Sequence, residues 1–172
     1  LLKKIKRENI ADITIVSLHF GKEYHMLPTS EQREVATDLA NAGADLIIGH
    51  HPHVLQPPEI IQNSRGNKSY VIYSLGNFFT GQKGLYRQIG GFFNIDIEYN
   101  SKTPILVNFK NPKLTLTFVD STDVKDFKIH IFKDYIKENP KINTDIGEFD
   151  SMEVYNEIYN RLHTYTDQLE IN

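Results

Sequence analysis

The chain contains no cysteine. That excludes disulfides, thiolate metal ligands and a cysteine nucleophile, and it leaves the compartment open, since such a chain suits either side of a membrane. Positive charge is not in excess either: 19 Lys and Arg against 22 Asp and Glu leave a formal charge of −3. Nothing electrostatic therefore points to nucleic acid. No apolar run approaches the roughly 20 residues of a membrane span, and these 172 residues contain no signal-peptide pattern, a reading that applies to this piece alone. There is no Gly-x-Ser-x-Gly elbow, and Ser74 has no His–Asp relay at the expected spacing, so a serine hydrolase is disfavoured. What remains is a chain of 172 residues, 40% hydrophobic and 24% charged, the make-up of an ordinary globular protein. That length without a repeat suits one domain, or one domain with an appendage, burying about 70% of its unfolded surface. The opening Leu-Leu-Lys-Lys-Ile-Lys-Arg-Glu reads as the end of a helix, and we expect a piece of a longer protein.

The first sixty residues alternate strand and helix. Residues 13–18 (Ile-Thr-Ile-Val-Ser-Leu) and 45–49 (Asp-Leu-Ile-Ile-Gly) are nearly continuous apolar runs, as strands covered on both faces would be. Between them Thr29 is placed to cap a helix, with Gln32 completing a capping box and Gly43 stopping it. Val35, Ala36, Leu39 and Ala40 are expected on its buried face. Strand, helix, strand in this order implies a parallel crossover. Residues 59–62, a turn over 63–67 and residues 70–75 then read as successive strands. Residues 76–91 carry five glycines and read as a long exposed loop. Phe93, Ile95 and Ile97 alternate with polar residues, as do Leu114, Leu116 and Phe118, predicting half-solvated antiparallel strands. A helical stripe runs over about 151–168. The fold class is α/β with a mixed sheet, flanking helices and a C-terminal helix.

Histidine is concentrated. Five of the seven fall between His19 and His53, three of them within Gly49-His50-His51-Pro52-His53, at the end of a buried strand where open α/β sheets place their sites. Pro52 biases His51 toward an extended backbone, in which His51 and His53 point the same way and His50 points elsewhere. His19 ends the neighbouring strand and is brought toward the pair. Three neutral imidazoles suit zinc, manganese, iron or copper. His25, His130 and His163 read as structural. His50 stays open between ligand, support for a ligand and satisfied core residue. Glu23 is a general acid/base, a ligand, or a solvated loop carboxylate. Asn77, ending the segment Tyr73-Ser74-Leu75-Gly76-Asn77-Phe78, either points at the site or simply tolerates a left-handed turn.

Three segments together resemble the CapA family of bacterial capsule and poly-γ-glutamate synthesis. They are residues 17–24 (Ser-Leu-His-Phe-Gly-Lys-Glu-Tyr), residues 42–56 (Ala-Gly-Ala-Asp-Leu-Ile-Ile-Gly-His-His-Pro-His-Val-Leu-Gln) and residues 73–78. The resemblance covers residues 10–80, and residues 101–172 match nothing usable. It implies a fold similar to the C-terminal half of the calcineurin-like metallophosphoesterases, whose strand-end histidine and Gly-His-x-His motif supply metal ligands. The counterparts here are His19 and the His51/His53 pair. One extra residue in Gly49-His50-His51-Pro52-His53 lets His50 stand in for His51, and Phe20 stands where the family often has Trp. The Asp-bearing and Asn-His-bearing motifs of that fold have no counterpart before residue 19, so these histidines form at best a one-ion site for a divalent metal (Mn, Zn or Fe). The resemblance further implies an anionic capsule polymer or its precursor and other capsule-synthesis membrane proteins as partners. It implies an extracytoplasmic, cell-surface location, anchored through an N-terminal segment missing from this chain.

Three functions compete. The role in capsule biosynthesis or export is the leading one. Within it the protein is either a metal-dependent hydrolase or transferase, with Glu23 or a histidine such as His50 shuttling a proton, or a polymer-binding component. In the second case Asn77, Lys83 and Arg87 contact carboxylates beside the histidines. The last reading is a remnant of the fold without a site. Residues 1–100 are expected to form the CapA-type portion, and 101–172 to add strands and the C-terminal helix to it.

Overall fold

The computed structural model describes residues 1–100, 106–121 and 126–172. A short helix α1 (Leu2–Arg7) precedes strand β1 (Ile15–His19). Lys6 Nζ in α1 donates to Asp45 Oδ2 at 2.7 Å, tying the helix to the start of the next strand. Helix α2 (Ser30–Ala42) then leads to β2 (Leu46–His50). Both halves of the capping box form at Thr29 and Gln32, and Gly43 takes the left-handed conformation at φ 112° that ends the helix. The buried row of α2 is Gln32, Ala36 and Ala40, with Leu39 partly buried. Val35, expected on that face, is 41% exposed: it lies one residue, about 100° of helical turn, off the i, i+4 row. The alanines in that row let the helix lie close over Ile47, Val71 and Tyr73.

Strands β3 (Leu55–Gln56), β4 (Glu59–Gln62), β5 (Lys68–Ile72) and β6 (Ser74–Leu75) follow. The turn between β4 and β5 is organised by Asn63, whose Oδ1 accepts from the amides of Arg65 at 2.9 Å and Asn67 at 3.1 Å. The first sheet has the order β1-β2-β5-β4, with β1, β2 and β5 parallel and β4 antiparallel to β5. It is the mixed sheet of an α/β fold. The strand expected over 70–75 is two strands. At the break Tyr73 is fully buried and donates its hydroxyl to Glu59 Oε2, after which β6 leaves the sheet to pair with β3.

A one-turn helix (Leu85–Arg87) leads into β7 (Ile89–Asn100), which pairs with β8 (Leu106–Asp120). Residues 76–91 are therefore not a long exposed loop: Leu85, Gln88, Ile89 and Gly90 are buried. After β8 come β9 (Lys128–Ile131), α3 (Phe132–Glu138), β10 (Lys141–Thr144), β11 (Gly147–Asp150), α4 (Ser151–Leu162) and β12 (Glu170–Ile171). The second sheet runs β12-β8-β7, with β9 also on β8. Phe93, Ile95 and Ile97 alternate with exposed Asn94, Asp96 and Glu98 as expected, whereas Thr117 in β8 is fully buried. Helix α4 packs Val154, Ile158 and Leu162 into the second core. It stops short of 168 because the His163 ring sits between the carbonyls of Tyr159 (2.7 Å) and Leu169 (2.9 Å) and closes the helix.

Leu46, Tyr70 and Ile72 of the first sheet meet Phe93, Ile95 and Phe109 of the second. The Tyr70 ring lies 5.3 Å from Phe93 and 5.9 Å from Phe109. The division expected at residue 100 abuts residues 101–105, outside the described residues. Among the described residues no helix is long and apolar enough to cross a membrane.

Candidate metal centre

The site is built where β1 and β2 end. The two strands pair in register to His19 opposite His50, and the Phe20 amide donates to the His50 carbonyl at 3.0 Å. Gly49 makes this junction possible. A Cβ there would stand 2.2 Å from the Tyr73 carbonyl oxygen and 2.6 Å from the Phe20 ring.

Beyond β2 the backbone does not run extended, as the Pro52 argument predicts. His51 has φ 106° and His53 φ 59°, both in the left-handed region. Such non-glycine residues cost on the order of 1–3 kcal/mol each and persist only where the surroundings impose them. Here the imposing contacts are visible: Pro52 is buried, and its carbonyl accepts the Tyr24 amide at 2.8 Å. The imidazoles still share one side, but two left-handed residues flanking a buried proline put them there. The ring centroids of His51 and His53 are 6.2 Å apart, and His19 lies 4.6 Å from His51.

Glu23 joins this pair. One ligand atom each from Glu23, His51 and His53 lie within 4.8 Å of one another, with the histidines half-buried and the carboxylate exposed. Glu23 Oε1 is 3.7 Å from His53 Nε2. Among the described residues the group of three donors is thus Glu23, His51 and His53, with His19 beside it against the His51 ring.

Asn77 fixes the chemistry of His53. Its Nδ2 faces two backbone carbonyls, Arg87 at 2.9 Å and His53 at 3.3 Å, and Gln82 Oε1 at 3.3 Å. Carbonyls only accept, so this nitrogen is the donating amide group, and Oδ1 is the atom 2.8 Å from His53 Nδ1. Nδ1 must then carry the proton and donate, which leaves the Nε2 lone pair facing Glu23. A ring held through one nitrogen with the other free is the arrangement of a metal-binding histidine. Two imidazoles and a carboxylate are a donor set that zinc, manganese and iron accept. Asn77 is seated by Gly90, where a Cβ would lie 2.1 Å from the Asn77 carbonyl oxygen.

The remaining candidates are dispersed. The His50 Nε2 pairs with Ser17 Oγ at 3.1 Å, and the residue is exposed, outside the three-donor group. Lys83 is exposed and without a side-chain partner among the described residues. Arg87 is half-buried, its guanidinium 4.8 Å over the Tyr24 ring. Of the histidines read as structural, His163 closes α4, and His130 lies 5.0 Å from the Tyr135 ring.

Two supporting residues escape sequence reading. Buried Gln56 donates to the carbonyls of His25 (2.9 Å) and Leu27 (3.1 Å) and accepts from Gln32 Nε2 (3.0 Å), which anchors the loop bearing Glu23 to α2. Tyr24 connects that loop to Pro52 and to Arg87. Both lie inside the quoted motifs, yet a glutamine after a strand and a loop tyrosine carry no signal of their own.

Residues 1–82 match the family model of bacterial capsule synthesis protein PGA_cap. The PGA biosynthesis protein CapA of Bacillus subtilis is 47% identical over 72 residues, covering 42% of this chain and 18% of that protein. The capsule biosynthesis protein CapA of Bacillus anthracis is 39% identical over 87 residues, covering 48% of this chain and 20% of that protein. The chain thus corresponds to about a fifth of the length of either relative. The matched stretch contains α1 to β6, His19, Glu23, the three clustered histidines and Asn77, and over it the chain is similar to the CapA (PGA_cap) family of bacterial capsule synthesis proteins.

Proposed function

We propose that the chain is the metal-bearing portion of a bacterial cell-surface protein that acts in the biosynthesis or export of a poly-γ-glutamate-type capsule. The observation that carries this reading is the convergence of Glu23, His51 and His53 within 4.8 Å, with His53 oriented through Asn77. Glu23, His51 and His53 would hold one divalent ion, with His19 as the adjoining imidazole. A bound ion there supplies a positive centre that polarises a phosphoryl or carbonyl oxygen. The protein's own part is to keep His53 in one tautomer, to hold the Glu23 loop through Gln56, and to present the group at the open end of a sheet. The fold we associate with this centre is that of the calcineurin-like metallophosphoesterases, and the reaction a metal-dependent hydrolysis or transfer at a phosphoester or at the amide of the polymer. Its partners are then the anionic polymer and the membrane proteins that assemble it.

Calorimetric titration of the 172-residue chain with zinc and with manganese tests the centre. Stoichiometric binding, lost in His51→Ala and His53→Ala and weakened in Glu23→Gln, is expected. Absence of binding by the parent chain sinks the metal reading and leaves a polymer-binding component.

A further inference from the structure

Next to the histidines lies a cleft of about 280 Å³. Tyr24, Leu85, Tyr86, Ile146 and Phe149 give it an apolar and aromatic wall, and Arg87 is the cation in it. Arg87 is half-buried, stacked on Tyr24, and has no carboxylate partner among the described residues. Of the acids near the cleft, Asp145 accepts the Gly84 amide at 2.8 Å, Glu157 accepts from the Tyr86 hydroxyl and from Arg161, and Glu23 faces His53. Elsewhere the partly covered cations are paired: Lys6 with Asp45, Lys113 with Glu170, Arg161 with Glu157. A guanidinium seated over an aromatic ring, with no side-chain acceptor among the described residues, is prepared for a planar anion.

The cleft is also joined to the candidate metal centre. Asn77 Nδ2 donates to the Arg87 carbonyl while Asn77 Oδ1 holds His53, and Tyr24, the ring under Arg87, follows Glu23 directly and lies 6.1 Å from His53. The guanidinium that would seat a ligand and the His53 ring thus both adjoin the ring of Tyr24.

We propose that this cleft is a substrate subsite in which Arg87 receives a carboxylate carried on an aliphatic stem, the stem lying along Tyr86, Leu85 and Phe149. A single cation in an apolar wall matches a singly charged group with methylenes, as in a γ-glutamyl unit, better than a dianionic phosphate. This assignment rests on the capsule-polymer reading above and adds a recognition element, with Tyr24 as the residue that positions the guanidinium.

The test is titration of metal-free chain with γ-linked tri-glutamate, followed by amide chemical shifts, with inorganic phosphate as the second arm. Saturable binding of the tri-glutamate is expected, with shifts at Arg87, Tyr24 and Phe149. Arg87→Gln should weaken it at least about tenfold, the loss of one charge-assisted bidentate contact. Ile146→Asp, at a position 63% exposed on the rim, should weaken it by repulsion without touching the core. Each variant's amide spectrum reports its fold, so a folding defect in one leaves the other to decide. No binding, or binding indifferent to both changes, overturns the subsite. Phosphate binding more tightly than tri-glutamate through Arg87 overturns the carboxylate assignment. Because no metal is present, failure here leaves the metal titration standing, and failure of that titration leaves this one standing.

Discussion

Two side chains show how much single atoms decide. Asn77 makes no contribution to the three-donor group itself, yet its amide selects the His53 tautomer. Asn77→Ala should lower divalent-metal affinity about 10–100-fold while leaving the fold intact, read by calorimetry against the parent. Asn77→Asp keeps the acceptor for His53 but sets its second oxygen against the carbonyls of Arg87 and His53, so it should lose affinity as well and lower the urea midpoint. Tyr70 is the opposite case. It is fully buried between the two sheets and its hydroxyl has no hydrogen-bond partner among the described residues. Tyr70→Phe removes that burden and keeps the ring contacts with Phe93 and Phe109, so urea denaturation should show a gain of about 1 kcal/mol.

Among the elements, the junction of β2 with the histidine segment depends on Gly49. In Gly49→Ala the new methyl would meet the Tyr73 carbonyl, which is backbone and has nowhere to go. A loss of at least about 2–3 kcal/mol in chemical denaturation is expected, together with weakened metal binding as β2 and β5 separate. The elements around this junction were legible because their signals are local. The Thr29 capping box, the Gly43 stop and the apolar run of β2 are each written within a few residues, and each stands in the structure, whereas β1, read as covered on both faces, is an edge strand with Ile15, Ser17 and His19 exposed. Elements set by distant partners were not. Tyr73 interrupts its strand because Glu59 and the change of ladder to β3 claim it, and α4 ends at Leu162 because His163 reaches Leu169. In the site, the strand-end histidines announced themselves by spacing, whereas the left-handed backbone at His51 contradicts the local preference before proline. The contact that overrides it, Pro52 with Tyr24, joins residues far apart in sequence.

At the scale of the molecule, the two sheets and their helices are fastened by tyrosines that resist ionisation. Burial, and then the hydrogen bond to Glu157, push the Tyr86 phenol up to about 12 from its ordinary 10.0. Burial raises Tyr70 and Tyr73 further still, the latter helped by Glu59. A raised phenol means that the folded protein keeps its proton after the unfolded chain has lost it. Below the ordinary value both states are protonated and the contribution is whole. As pH climbs from about 10 toward 12 the unfolded chain ionises first, and stability falls. Urea midpoints measured between about pH 9 and 11.5 should therefore drop steadily, and Tyr86→Phe should shallow the slope.

The left-handed residues at 51 and 53 set fold and site at odds. Glycine alone occupies that region without strain, so replacing either histidine with glycine relieves backbone energy while deleting a donor. Alanine deletes the donor and keeps the strain. A library randomised at these two codons and selected only for thermal endurance should therefore enrich glycine. The same library selected for metal retention should return histidine, so the two populations are expected to diverge at residues 51 and 53.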